Sequence, residues 1–381
     1  MIDDSPSRRT MLAMAGGAIL AALGARSAFA DAASEALGLK LTEDQIAAGT
    51  QILLKHPSVD IHCHPGRFFV RNFGEPTRLM KALGAPTDDE VIKHLPIGHL
   101  SGALFCGVAD MALLDASPQG GLFAGRDWAA GEAWREYERQ INVLKGLSKR
   151  HTLYRGRTTR DVLRAQKLGR TANIFAVEGG DFFEDKLDRV HIAYRDGVRA
   201  VTIVHYHVNM LGDIQTAAAV HGGLTPTGKA VVQEMNKAGI VIDVAHATYN
   251  TTRGVIDAST RPVMLSHSNL LAPGLDNPRL VSAEHANMVA KAGGIIGSVP
   301  WGIGQTNVSD WIDSIFRLID AVGADHVAIG TDMDANFRPV FTDYRQWPLI
   351  PAALLARGLH EPEVAAIIGG NFMRVFKANG G

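Results

Sequence analysis

The sequence predicts an α/β fold: a TIM-type (β/α)8 barrel with an inserted segment near its N-terminus. Three observations carry that prediction. Short β-branched runs alternate with helix-period stretches, the pattern of a parallel sheet with crossover helices. There are eight such runs. Ligand-type polar residues stand where six of them end, and in a barrel those ends converge on one face.

The predicted strands are, in order, Val59–His62, Ala103–Val108, Ile174–Val177, Ala200–Val204, Ile240–Val244, Val263–Leu265, Gly294–Val299 and Val327–Ile329. Helical patterns between them cover Trp128–Leu147, Asp188–Asp196, Thr227–Ala238 and Val308–Val322. The segment Phe68–Leu100 reads as an inserted loop and helix over the barrel mouth. The tail Glu361–Phe376 reads as a closing helix, which Gly369-Gly370-Asn371 can split into two short ones. With no internal repeat or low-complexity linker, one barrel domain is expected over residues 31–381.

The first thirty residues read differently. Ser7-Arg8-Arg9-Thr10-Met11-Leu12 leads into an apolar run from Met11 to Leu23, and Ala28-Phe29-Ala30 offers a cleavage site before Asp31. That order is a twin-arginine export signal over residues 1–30, with a periplasmic destination. The apolar run is shorter than the ~20 residues a spanning helix needs. No cysteine follows directly at the cleavage site, which argues against a lipid anchor.

Composition narrows the function classes. The chain has 381 residues, 46% of them hydrophobic, enough for a large core. A formal charge of −1 gives no basis for binding nucleic acid or an anionic membrane. Cys63 and Cys106 are the only cysteines, too few for a disulfide framework, and whether they pair is left open.

The strand ends carry the chemistry. Strand one ends in Asp60-Ile61-His62-Cys63-His64, strand three in Glu178-Gly179-Gly180 and strand four in His205-Tyr206-His207. Strand five ends in Asp243-Val244-Ala245-His246, strand six in Ser266-His267-Ser268 and strand eight in Gly330-Thr331-Asp332-Met333-Asp334. His62 and His64 are two apart, so both point to one side of their strand. Neutral imidazoles suit zinc and related divalent ions. His246 and His267 can add two nitrogens, and Glu178 can bridge two metals with its two oxygens. Such a set matches a two-metal hydrolytic site with ions ~3.5–4 Å apart. One H-x-H, or one glutamate before Gly-Gly, is weak by itself; joint placement at strand ends is what counts. Cys63 faces the opposite side from its two histidine neighbours and reads as core packing. His56, His94, His99, His151, His191, His221, His285, His326 and His360 read as solvated or locally bonded.

At these residues the chain resembles the membrane (renal) dipeptidase family, peptidase family M19, zinc metallopeptidases within the amidohydrolase-like barrels. The resembling blocks are Val59–His64, Ala176–Gly180, Gly223–Gly228, Val231–Asn236, Ile242–His246, Pro262–Ser268, Ile329–Asp334 and Gly369–Phe376. The resemblance implies that His62 and His64 hold one metal, that His246 and His267 hold the other, and that Glu178 bridges them. It implies that His205 contacts substrate and steadies the tetrahedral intermediate, that Asp332 moves the proton, and that Arg279 holds the substrate carboxylate. One departure is clear: the family usually carries H-x-D on strand one, and this chain carries His62-x-His64.

The implied function is an exported dipeptidase with two divalent ions per chain, zinc foremost, that hydrolyses dipeptides by attack of a metal-bridging hydroxide. His64 keeps an alternative in view: another amidohydrolase-type activity on lactones, phosphotriesters or acyl-amino acids. A binding-only descendant is disfavoured because Asp332 accompanies a complete ligand set. Expected partners are dipeptide substrates and the twin-arginine export machinery. A homodimer is allowed; nucleic acid and stable membrane insertion of the mature chain are not expected.

Overall fold

A computed structural model describes residues 35, 37–117, 121–151 and 153–381 of the chain. The expected export signal, with Arg8, Arg9 and Ala28-Phe29-Ala30, therefore lies outside the described residues.

The eight β-branched runs form eight parallel strands: β1 (Val59–Cys63), β2 (Gly102–Val108), β3 (Ala172–Glu178), β4 (Val198–Thr202), β5 (Val241–Asp243), β6 (Met264–Ser268), β7 (Ile295–Ser298) and β8 (Val327–Ile329). Each pairs with the next in sequence order. The ring closes where β8 runs into β1. There Cys63 bridges Met333 in parallel, His64 N–H donates to the Met333 carbonyl at 3.0 Å, and Asp332 N–H donates to the His62 carbonyl at 2.9 Å. The predicted (β/α)8 barrel is the observed fold.

Register sets the chemistry level. Val108 pairs with Glu178, Glu178 with Thr202 and Thr202 with Asp243, so these strand ends share one layer. Most strand boundaries shift by one to three residues from the sequence reading, and two of the shifts bear on the site. β6 continues through Ser266-His267-Ser268, all buried, so its polar end hides a strand that the apolar run stops marking at Leu265. β5 stops at Asp243, because the chain turns away to reach His246 in the left-handed region (φ 65°).

Helices cover the outside. Asp188–Asp196 and Val308–Val322 match their expected bounds, and Pro226–Ala238 starts one residue early behind the Thr225 cap, whose hydroxyl accepts from Gly228 N–H. The helix expected from Trp128 begins at Glu132, after Gly131 takes a left-handed turn (φ 68°). The inserted segment becomes a 3-10 turn, Pro65–Val70, followed by helices Arg78–Leu83 and Asp88–Ile97. The tail divides in two, Glu361–Ala365 and Asn371–Ala378, with a widened turn between them. Close approach is the cause: a Cβ on Gly369 would sit 2.4 Å from the Pro57 carbonyl, where the chain enters β1. A two-stranded hairpin, Leu114–Ala116 with Leu122–Ala124, follows β2 and has no counterpart in the sequence reading.

Alternate strand residues, among them Ile61, Leu104, Ile174, Val241 and Ile295, fill the barrel interior with Phe372 and Phe376 of the last helix. The opposite set, including Phe105, Val201, Ile242 and Ile329, packs under the outer helices. Cys106 lies in the first layer and Cys63 in the second, so the sheet separates them and both thiols are free. Among the described residues no helix is long and apolar enough to cross a membrane.

Candidate metal centre

Glu178 ends β3 almost fully buried and stands among five imidazoles. Its Oε1 lies 3.4 Å from His62 Nε2, 3.1 Å from His246 Nε2 and 3.5 Å from His267 Nε2. Its Oε2 lies 3.5 Å from His64 Nε2 and 3.4 Å from His205 Nε2. Two three-residue groups result, His62–His64–Glu178 and Glu178–His246–His267, both buried and sharing the one carboxylate.

This donor set fits two divalent ions. The Nδ1 of His64 is 2.6 Å from the Cys106 carbonyl, which can only accept. The ring proton is therefore on Nδ1, and Nε2 offers its lone pair to the centre. The Nε2 atoms of His62 and His64 are 3.1 Å apart, as are those of His246 and His267. Two nitrogens on one tetrahedral zinc, each ~2.1 Å from it, stand about 3.4 Å apart. Burial, together with the nearby Arg279 and His205 cations, holds the His246 imidazole well below its usual range. Burial and the His62 cation do the same for His267. Both rings are thus neutral, the form that ligates. His246 Nδ1 is buried and finds no hydrogen-bond partner among the described residues.

Asp332 stands on the first group's side, its Oδ1 3.2 Å from His64 Nε2 and 4.0 Å from His62 Nε2. Arg279 stands on the other side, buried, with Nη2 3.1 Å from His267 Nε2 and Nη1 donating to Gln215 Oε1. His246 and Asp332 are both non-glycine residues at positive φ, 65° and 52°. Such conformations cost of order 1–3 kcal/mol and persist where the surroundings impose them. All eight residues singled out in the sequence are thus brought together in one cluster around Glu178. The histidines read as locally bonded behave so where their partners are resolved: His56 meets Glu361, His151 meets Asp89, His285 meets Thr252 and His326 meets the Gly294 carbonyl. A further group, Asp88–Asp89–His151, is already neutralised by Arg71 and Arg150 and offers no comparable centre.

Three supporting residues have no role in the sequence reading. Asp110, two residues past β2, holds His205 Nδ1 at 2.6 Å and accepts the Tyr206 and His207 N–H groups at 3.0 Å. Burial lowers His205, but the Asp110 and Glu178 carboxylates outweigh it, and its pKa is raised. Asp243 and Ser266 form a buried pair behind the ligands, at 2.6 Å. Their strand-end positions were the available signal; a lone Asp or Ser there carries no ligand pattern to mark it.

A model of the membrane dipeptidase family (peptidase family M19) matches residues 47–380. The fold and site define a metal-dependent hydrolase type of barrel, and the chain belongs to the membrane dipeptidase family. It is similar to Dipeptidase verJ of Clonostachys rogersoniana, 29% identical over 253 residues, 64% of this chain and 65% of that protein. It is similar also to Dipeptidase tcpJ of Claviceps purpurea (strain 20.1), 30% identical over 226 residues, 57% of this chain and 53% of that protein. The chain therefore spans less than two thirds of the length of these two relatives. Among solved structures, a metallo peptidase from Rhodobacter sphaeroides, liganded with a phosphinate mimic of the dipeptide L-Ala-D-Ala, shares the fold. It has a TM-score of 0.70 at 19% identity, over 85% of this chain and 99% of that one.

Proposed function

We propose that this chain is an exported dipeptidase working with two divalent ions, zinc foremost. The observation that carries the reading is one buried carboxylate, Glu178, shared by two pairs of imidazole nitrogens. His62, His64 and Glu178 would hold one ion, and Glu178, His246 and His267 the other. Ions so held would supply a Lewis acid for the scissile carbonyl and would lower the pKa of a bound water.

The chain's own residues do the rest. Asp332 takes the proton of the attacking water and passes it to the departing amine. His205, charged because Asp110 holds its Nδ1, donates Nε2–H to the carbonyl oxygen as negative charge develops there. Arg279 binds the substrate carboxylate, and a free dipeptide presents that group close to its scissile bond. Metal analysis of the purified protein with a hydrolysis panel tests this. About two ions per chain and cleavage of dipeptides over lactones and phosphotriesters are expected. Preference for lactones or phosphotriesters would favour the second reading, which rests on the H-x-H of strand one.

Export is part of the proposal and rests on Arg8-Arg9 and Ala28-Phe29-Ala30. The mature protein should begin near Asp31 in the periplasmic fraction. An Arg8→Lys/Arg9→Lys precursor should stay in the cytoplasm, and its unchanged export would rule the route out.

A further inference from the structure

Behind the four imidazoles lies one hydroxyl that touches both halves of the centre. Ser266 is fully buried in the middle of β6. Its Oγ is 2.9 Å from His267 Nδ1 and 3.1 Å from His62 Nδ1. These rings belong to different halves and come from strands on opposite sides of the chain's order. Among the described residues no other hydroxyl hydrogen-bonds a ligand of each half.

The hydroxyl's single proton is already committed. It goes to Asp243 Oδ2 at 2.6 Å, the shortest of the three contacts. Asp243 is itself fixed as an acceptor: Oδ2 also takes the Thr202 hydroxyl at 2.7 Å, and Oδ1 takes the N–H groups of Ala245 and Ser266 at 3.0 and 2.9 Å. A serine hydroxyl has one donor and two acceptor sites. With the donor spent on Asp243, both remaining sites are free to accept, and each faces a ring nitrogen. In the neutral form that ligates, both rings must therefore carry their one proton on Nδ1. That leaves both Nε2 lone pairs aimed at Glu178, where an N–H on either would point a hydrogen into an ion's place.

We infer that Ser266, held by Asp243, is a shared positioning residue that sets the tautomer and aim of one ligand in each half, so that the two ions are held in concert. The inference rests on the two-ion reading. Partners of ligating imidazoles are typically worth 10- to 100-fold in metal affinity. Here a single hydroxyl serves two, so its loss should weaken both ions by that factor, not one.

The test measures binding of Zn2+ alone, by competition against a chromogenic chelator, in the full mature chain and its variants. Ser266→Ala should weaken both ions about 10- to 100-fold, while metal-free unfolding by denaturant moves much less than metal-induced stabilisation does. Ser266→Thr, which keeps the hydroxyl, should restore most of the affinity. If Ser266→Ala does not fold, Asp243→Asn carries the test, because it keeps the shape and removes the acceptor that orders the hydroxyl; it too should weaken both ions. Wild-type affinity in Ser266→Ala, or weakening of one ion only, overturns the inference. A wild-type chain that binds no stoichiometric Zn2+ overturns the two-ion reading itself, a separate and visible failure.

Discussion

His62 and His64 leave one strand two residues apart, whereas His246 and His267 leave two different strands, 21 positions apart in sequence. Both pairs end with Nε2 atoms 3.1 Å from each other and share Glu178, yet their surroundings diverge. The first pair has a carboxylate neighbour, Asp332, and one ring tied to a backbone carbonyl. The second has a guanidinium neighbour, Arg279, and one ring whose buried Nδ1 has no hydrogen-bond partner among the described residues. Burial lowers His62, but Cys106 and Glu178 raise it by more, so it stands well above its usual range; His246 and His267 stand well below theirs. On the proposed function the difference would separate two tasks: the half beside Asp332 would handle protons, and the half beside Arg279 would meet the substrate's negative charge.

The largest expected effect removes what the halves share. Glu178→Gln keeps the shape but removes the bridging negative charge and one of its two donor oxygens, so both ions should be lost and dipeptide hydrolysis should fall to background. If metal analysis finds two ions retained and turnover survives, the halves do not depend on a common bridge, and the comparison loses its axis. Next comes the proton-handling side. Asp332→Asn should leave both ions largely bound while kcat falls ~10²-fold or more, the range for a missing acid/base group. Normal turnover in that variant would remove Asp332 from proton transfer.

The charge-meeting side predicts a smaller change. Free dipeptides should be cleaved better than C-terminally amidated ones, because amidation removes the charge that Arg279 meets. A hydrogen bond between charged groups is worth roughly 1.5–3 kcal/mol, or about 10- to 150-fold in kcat/KM. Arg279→Ala should shrink the discrimination to a small residue of it. Equal rates on free and amidated substrates by the wild type would refute carboxylate recognition. Undiminished discrimination by Arg279→Ala would place that recognition on another cation.

The same contrast explains what could be read from the chain. The H-x-H pair was visible because strand periodicity puts neighbours two apart on one side. His246 and His267 were visible only as members of a set at strand ends, and the barrel's convergence gave them a common address. The fold and the grouping of these side chains were thus legible, since apolar periodicity and residue type both leave local marks. Asp110, Asp243 and Ser266 were not, because their value lies in which atom they face across the barrel. The same limit hid the polar end of β6, and it left the split of the tail at Gly369 as only one of two readings.

The smallest expected effect tests the electrostatic half of the comparison. Burial lowers the His62 pKa, but the Cys106 sulfur and the Glu178 carboxylate raise it by more, so in the metal-free chain this ring keeps its proton to higher pH than a free imidazole. An ion binding at His62 and His64 must displace that proton, since only the neutral ring ligates. The sign follows: a raised pKa means that lowering the pH adds competition at this half. Apparent affinity there should rise about tenfold per pH unit until the His62 pKa is passed. His246 and His267 are already neutral, so affinity at their half should be nearly flat from pH 6 to 8. Calorimetric titration with Zn2+ near pH 7, in two buffers of different ionisation enthalpy, counts the protons released. One proton with one ion and almost none with the other is the expected result. Equal release by both ions would show that the two halves face the same proton competition, and the division drawn between them would then rest on Asp332 and Arg279 alone.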